Sequence, residues 1–407
     1  MPIALLALAI GAFGIGTTEF VIMGLLPQVA VEYGVSIPTA GYLASGYAVG
    51  VLVGAPLMTI LGTRVSRKTM LMALMGIFVA GNLLSAVAPA FGLMLAGRIV
   101  TSLAHGAFFG IGSVVAANLV APQKRASAIA LMFTGLTLAN VVGVPLGTLL
   151  GQQTSWRLTF AAVAVLGVLA VIGVALLIPA DEAPSAANKH IQGERGLVLR
   201  ELAAFRDVQV LLAMAMTVLG FGGVFAAITY IAPMMTEAAG FAESGVTWIL
   251  VLLGIGMVIG NLVGGRLADR ALMPLLYVSL AAVAAVLALF AFAAYSQIAS
   301  AVAVVLIGLL GFATVPPLQK RVLDLASGAP TLASAVNVGA FNLGNALAAW
   351  LGGLVISGGF GITAPNVVGA LMAGSALGLA VISGLLERRR AQRPISTAAS
   401  VTTAGTV

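Results

Sequence analysis

Residues 11–27, GAFGIGTTEFVIMGLLP, set a single carboxylate, Glu19, inside a run made otherwise of apolar and small residues. A helix on a water-soluble core would show a polar face at the helical period, and this run shows none. The whole chain has the same character. Of its 407 residues, 61% are hydrophobic and only 8% charged, and mean hydropathy is +1.14. Soluble chains carry roughly 25% charged residues. The chain therefore reads as an integral membrane protein. The first apolar run has no basic segment before it and keeps full membrane length, so it is expected to be a retained helix and not a cleaved signal. Cysteine is absent, which excludes disulfides, thiol catalysis and Cys-based metal sites.

Working outward from that stretch, apolar segments of bilayer length, roughly 20 residues each, recur about twelve times. The expected spans are 3–26, 39–61, 69–90, 92–120, 126–150 and 157–179, then 207–235, 244–268, 273–296, 298–324, 331–357 and 362–386. They are long and continuous, unlike the short alternating segments of a membrane β-barrel. The fold class is all-α, with twelve transmembrane helices.

Basic residues gather on one side. Arg64, Arg67 and Lys68 follow span two, Lys124 and Arg125 span four, and Arg266 and Arg270 span eight; Lys320 and Arg321 end span ten, and Arg388, Arg389, Arg390 and Arg393 follow span twelve. Lys189, Arg195, Arg200 and Arg206 lie in the one long polar connection. The opposite loops hold Glu32, Glu237 and Glu243, with Arg157 as their cation. By the positive-inside rule both termini are cytoplasmic. The net charge of +7 thus reports topology and gives no reason to invoke nucleic acid.

The polar connection divides the chain into a six-helix bundle over 1–180, a cytoplasmic linker over 181–206, a second bundle over 207–390 and a disordered tail over 391–407. The halves echo each other: LGTRVSRK (61–68) follows the second span of the first, GGRLADR (264–270) the second span of the second. Paired repeats of this kind are an architecture of secondary transporters.

Within the spans the ionisable exceptions are Glu19 and Arg98, with His105 as a titratable neighbour. Charged groups at that depth cost several kcal/mol and point to function. Glu19 lies about seven residues before the end of span one and Arg98 about seven after the start of span four, which at 1.5 Å per residue puts both roughly 10 Å below the same surface. They are expected to pair. His105, seven residues beyond Arg98, falls on the same helix face. The plain alternative is a structural ion pair with a packed histidine. The functional reading is a proton-coupling site of Glu19, Arg98 and His105, since burial favours a neutral carboxyl and a nearby cation favours an ionised one.

Uncharged polar residues in the spans are the candidates for lining a substrate path: Tyr42 and Tyr47, Asn140, Tyr230, Asn261, and Asn337, Asn342 and Asn345. Each could equally bond a neighbouring helix, at roughly 0.6 kcal/mol. In GLTLANVVGVPLGTLLG (135–151), Gly143, Gly147 and Gly151 recur every four residues, so one face of span five admits a close helix neighbour. Pro145 removes a backbone donor there.

With these motifs placed, the chain resembles the major facilitator superfamily, in its twelve-helix drug:proton antiporter branch, and within it bacterial inner-membrane permeases of arabinose-efflux-like and chloramphenicol-resistance-like type. TTEFVIMGLLP (17–27) is similar to the first-helix signature, GRIVTSLAHGAFFG (97–110) to the fourth-helix motif whose arginine is Arg98, and VVGVPLG (141–147) to the fifth-helix antiporter motif; WRLTF (156–160) opens span six as in relatives. GGRLADR matches the loop motif that locks the cytoplasmic side. The first-half copy departs, with Thr63 where an aspartate and Ser66 where a glycine is expected, which leaves Asp269 and Arg270 to carry the latch. The resemblance implies two pseudo-symmetric six-helix bundles, gating through Gly143, Pro145, Gly147, Asp269 and Arg270, and a monomer in the bacterial inner membrane. The implied partners are a small-molecule substrate, protons and the bilayer.

The resulting expectation is a proton-coupled antiporter that exports small amphipathic molecules of drug, sugar or nucleoside class by alternating access. The alternative within the fold is a proton-coupled uptake symporter. No Lys follows a Gly, so a phosphate-binding G-x-x-x-x-G-K-[ST] loop is missing and an ATP-driven motor is not expected. With a single intramembrane His and no Cys, neither an enzyme nor a metal site is expected, and no cofactor is implied. A scaffold or receptor would have no need of Glu19.

Overall fold

The computed structural model describes residues 3–62, 65–121, 125–179, 206–326 and 330–391. Among them twelve helices are long and apolar enough to cross a membrane. They are α1 (Ala4–Tyr33), α2 (Ile37–Met58), α3 (Arg67–Val87), α4 (Phe91–Asn118), α5 (Leu131–Gln153), α6 (Trp156–Leu177), α7 (Val208–Thr229), α8 (Glu243–Ala268), α9 (Leu272–Ala293), α10 (Gln297–Leu325), α11 (Val336–Ser357) and α12 (Ala364–Arg388). No strand occurs among the described residues. Most expected spans agree with these helices to within about five residues, but α1 runs seven residues past its expected end and α7 stops six short of its own. The expected linker and tail, and the Thr63 position, lie outside the described residues save for Arg206 and Ala391.

Local chemistry sets several of the boundaries. Gly34 ends α1 in the left-handed region, at φ 63°, and its N–H bonds Ala30 O and Val31 O. Ser66, Ser155, Asp207 and Ser296 each accept a backbone N–H at the start of the next helix. Ser66, where the family pattern has glycine, therefore serves as the N-cap of α3. Lys68 Nζ donates to Ala175 O and Ile178 O, both at 2.7 Å, and so closes the last turn of α6.

The helix neighbours repeat across the halves. α1 packs on α5 and α6 as α7 packs on α11 and α12; α2 meets α4 as α8 meets α10; α3 lies on α6 as α9 lies on α12. Between halves α2 runs along α11 and α5 along α8, two contacts that the same pseudo-twofold exchanges. Even the breaks correspond: α4 is interrupted by a turn at Ala104 and α10 by one at Thr314.

Because the number of spans is even, both ends of the described chain emerge at one end of the bundle, the termini end. Here each half has its own core, one built from Leu5, Leu8, Leu74 and Phe108 among others, the second from Val210, Leu276, Leu318 and Ala380. Toward the opposite end the cores merge into one cluster, in which Leu25, Met94 and Phe160 join Phe225, Leu250 and Phe290. Polar contacts close the seam at that end: Gln28 Nε2 to Glu243 Oε2 at 3.2 Å, Gln152 Nε2 to Glu243 O at 2.8 Å, and Thr247 Oγ1 to Gln152 Oε1 at 3.1 Å.

Two charged residues near span ends find definite partners. Arg157, expected as the cation of its side, is tied to Glu32 at 2.7 Å and donates to Ala86 O and Ala88 O at 3.1 and 2.6 Å. Trp156 also bonds Glu32, so the end of α1 is pinned to α3 and α6. Arg321, expected at the end of span ten, is only 8% exposed. The α10 helix runs on to Leu325, which draws Arg321 into the bundle, where Nη2 donates to Ser383 Oγ at 3.0 Å and Glu387 Oε1 at 2.6 Å.

Candidate functional site

The structure gathers Glu19, Arg98 and His105 in the first half, together with Tyr47. Arg98 is fully buried. Its Nη1 donates to Thr18 O at 2.6 Å and Thr18 Oγ1 at 3.2 Å, Nη2 to Glu19 O at 3.4 Å, and Nε to Leu43 O at 3.5 Å. The guanidinium carbon stands 4.3 Å from the centre of the Tyr47 ring. Five fixed donors suit such a clamp on several oxygens at once.

The side-chain ion pair expected between Glu19 and Arg98 does not form. Neighbouring residues of a helix point about 100° apart, so an arginine aimed at Thr18 meets Glu19 only through its carbonyl. The ionic contact of the carboxylate is with His105, whose Nδ1 lies 3.9 Å from Glu19 Oε2. The same Nδ1 lies 3.2 Å from Tyr47 Oη. His105 and Arg98 thus meet on Tyr47, whereas the spacing had anticipated only a shared helix face. Tyr47, expected along the substrate path, is 2% exposed and lies inside this cluster. The arrangement holds the Arg98 cation on the oxygens of Thr18, Glu19 and Leu43 and leaves the Glu19 carboxylate without a side-chain bond to it.

Behind the clamp lies a polar anchor that sequence reasoning missed. Thr18 Oγ1 donates to Asn82 Oδ1 at 2.7 Å, and Asn82 Nδ2 donates to Phe78 O at 2.8 Å. Asn82 is an asparagine within an apolar span, the same signal that singled out Asn140.

The other polar candidates scatter. Tyr42 is 44% exposed and borders a shallow groove of about 390 Å³ between α2 and α4, with Leu95, Ile99 and Leu103 opposite. Tyr230 is fully buried, and its hydroxyl donates to Ala349 O at 2.7 Å. It fits against Gly41 of the other half, a seam contact. Asn261 is exposed. Asn337 Nδ2 donates to Gln319 Oε1 at 2.7 Å. Asn140, Asn342 and Asn345 are buried, and their amide oxygens have no protein donor.

The gating candidates also find definite neighbours. Gly143 faces Phe13 and Thr17, Gly147 faces Val21 and Thr159, and Gly151 faces Leu25 and Trp156. The glycine face therefore admits α1 and α6 of its own half. The approach between halves is made by another face of α5, where Gly254 of α8 lies against the Asn140 carbonyl. Just before Pro145 the helix widens into a π-type turn over Ala139–Gly143, the local loosening that turns of this kind bring to functional helices. Asp269 and Arg270 are exposed at the termini end.

A second feature escaped the sequence reading. Phe20 of α1 meets Phe225 of α7 with ring centres 5.7 Å apart, and Phe221 in turn contacts Phe225, Phe312 and Phe341 at 5.8, 5.4 and 5.0 Å. No spacing along the chain announces it, because the five rings come from four helices.

Twelve spans, a pseudo-twofold and a charge cluster on its first and fourth helices can be compared with known proteins. The chain is 50% identical over 379 residues to Inner membrane transport protein YdhP of Escherichia coli (strain K12), covering 93% of this chain and 95% of that one. It is 37% identical over 400 residues to the Chloramphenicol resistance protein of Streptomyces lividans, covering 98% of each. Among solved structures, that of a D-xylose-proton symporter matches with a TM-score of 0.73 at 15% identity, over 92% of this chain and 96% of that one, a likeness of fold. Residues 8–349 match the Major Facilitator Superfamily, and the chain belongs to that family of membrane transporters.

Proposed function

We propose that the chain is a proton-coupled antiporter that exports small amphipathic molecules by alternating access, with both termini in the cytoplasm of a bacterial cell and the monomer as its working unit. The observation that carries this reading is the Glu19 carboxylate. It lies 12% exposed beside His105, while Arg98, the nearest cation, is occupied by backbone oxygens of α1 and α2. A purely structural ion pair would spend the arginine on the carboxylate. Phe20, the next residue, touches the other half through Phe225, so a change in the charge of Glu19 acts next to the seam that must open and close.

In this cycle the halves part at the end where their cores now merge and close at the termini end. One proton entering with the membrane potential contributes roughly 2.3 kcal/mol per 100 mV, enough to drive a neutral solute outward. Asp269 and Arg270 belong to the closing surface on the termini side. The resistance named in the Streptomyces relative supports the outward direction.

The test is counterflow in proteoliposomes with an imposed pH gradient, using a panel of sugars, nucleosides and aromatic antibiotics. Export of at least one member should follow the gradient in the wild type and stop in Glu19→Gln, while energy-independent exchange persists. An uptake symporter would move solute in the direction of the proton. Gradient-driven export that survives Glu19→Gln would return the carboxylate to a structural role.

A further inference from the structure

One nitrogen of His105 has two neighbours. Nδ1 lies 3.2 Å from the Tyr47 hydroxyl and 3.9 Å from Glu19 Oε2. The first distance is a hydrogen bond and the second is too long for one. Which group donates follows from what each has to satisfy. Tyr47 is 2% exposed, and among the described residues its hydroxyl has this nitrogen as its hydrogen-bond partner. A hydrogen on Nδ1 would turn the Tyr47 O–H away with no acceptor, and a buried donor left unpaired is costly. The hydroxyl therefore donates, Nδ1 is bare, and the neutral ring carries its hydrogen on Nε2.

Both rings are held from their other sides. Arg98 stands 4.3 Å from the centre of the Tyr47 ring, and its Nε reaches Leu43 O, one turn earlier on α2. Phe109 meets the imidazole with ring centres 5.3 Å apart and itself stacks on Phe133 of α5 at 5.1 Å. Five helices pack on this stretch of α4. Among them α1 brings Glu19 and α2 brings Tyr47, while Arg98 comes from α4 itself. Neither α5 nor α11 contains an ionisable side chain, and α3 carries its cations, Arg67 and Lys68, in its first turn at the termini end.

We propose that Tyr47 is a positioning residue of the proton site: its hydroxyl caps the Nδ1 lone pair of His105 and so keeps on Glu19 the proton that Glu19 carries. Nδ1 has a single lone pair. It either accepts from Tyr47 or takes the proton of Glu19. In the second case the Glu19 O–H bond breaks, an Nδ1–H bond forms, and a carboxylate faces an imidazolium. Tyr47 then keeps its own proton and loses its acceptor. The cap thus leaves the carboxyl as the group that loads and unloads, with His105 a neutral neighbour. Its bearing on loading rests on the transport reading above, while the hydrogen bond stands apart from that reading.

The chain has two histidines, so His190→Gln leaves one imidazole, and nitrogen-15 NMR of histidine-labelled protein in nanodiscs reads His105 alone. Nδ1 should give the signal of an unprotonated nitrogen that accepts a hydrogen bond, and Nε2 that of an N–H. Tyr47→Phe keeps the ring beside Arg98 and removes the hydroxyl. The ratio of protonated to bare Nδ1 should then rise roughly tenfold, the worth of one neutral hydrogen bond. Glu19→Gln with Tyr47 intact should leave the Nδ1 signal where it is. A hydrogen on Nδ1 in the wild type, or a signal that follows Glu19→Gln and ignores Tyr47→Phe, overturns the proposal. The wild type and Glu19→Gln decide it should Tyr47→Phe fail to fold. In proteoliposomes, with chloramphenicol, uridine and D-xylose as probes, gradient-driven export by Tyr47→Phe should follow a different pH profile from the wild type. Lost packing alone would lower export equally at every pH, and an identical profile overturns the role in loading. Export that ignores Glu19→Gln, together with the expected NMR signals, would instead overturn the transport reading and leave the Tyr47 cap on His105 standing.

Discussion

Gly254 offers the most direct test of how the halves are held. It lies on α8 where that helix meets α5, and a Cβ there would sit 2.9 Å from the carbonyl carbon of Asn140 and 3.0 Å from Val141 Cα. Carbon atoms in ordinary contact stand roughly 3.5–4.0 Å apart. Gly254→Ala therefore demands that α5 and α8 separate by about 0.5–1 Å, and both obstacles are backbone, which no rotamer change removes. Overpacking of that kind costs about 1–3 kcal/mol. The cost applies only while the seam is closed, so the ratio of seam-closed to seam-open molecules should fall by about 5- to 150-fold. The chain has no native cysteine, so Gln153→Cys and Ser244→Cys can be introduced without background labelling. Both positions are exposed, and both flank the Gln152–Glu243 contact across the seam. In Gly254→Ala the ratio of longer to shorter distances in the spin-label distribution should rise at least fivefold, and disulfide formation should slow in proportion to the loss of the closed population. An unchanged cross-linking rate and an unchanged distribution would refute the argument that this contact governs closure.

Other outcomes follow from the same structure. Arg98→Lys replaces a fork that reaches Thr18, Glu19 and Leu43 with one point charge; charge-assisted bonds are worth about 1.5–3 kcal/mol each, so transport should fall more than tenfold and the melting temperature in detergent should drop. Gly147→Leu should act inside the first half, because a Cβ there meets Val21 and Thr159 at 2.9 and 3.2 Å; a loss of about 1–3 kcal/mol of stability, read by thermal denaturation, is expected, without the slower cross-linking that marks the seam. Labelling of single cysteines in sealed cells should find Ser66→Cys reactive only from the cytoplasm and Ser244→Cys only from outside, and the reverse pattern would invert the orientation.

Much of the architecture was legible in the order of the residues. A bilayer accepts only helices whose backbone bonds are satisfied within themselves, so long apolar runs separated by short polar breaks leave little choice of secondary structure. The same cost made Glu19 and Arg98 stand out, since a charge in an apolar run is conspicuous wherever the chain finally puts it. Arg98 and His105 still reach the same Tyr47, although the span that carries both is interrupted by a turn at Ala104.

What the sequence left open depends on which helices become neighbours and how they are rotated. It suggested an ion pair from equal depth, but depth says nothing of azimuth, and α1 turns Thr18, not the Glu19 side chain, toward Arg98. The glycines of α5 announced a close neighbour without naming it; packing decided that α1 and α6 fill that face while Gly254 receives the other half. Arg321 was placed at the end of span ten, but only packing decided that it turns inward onto Ser383 and Glu387. The phenylalanine chain lay beyond any reading of spacing, because its rings come from α1, α7, α10 and α11 and converge only when both bundles are assembled. Apolar side chains carry no address of their own: the hydrophobic effect is non-directional, so which of them meet is settled by the close packing of the whole bundle.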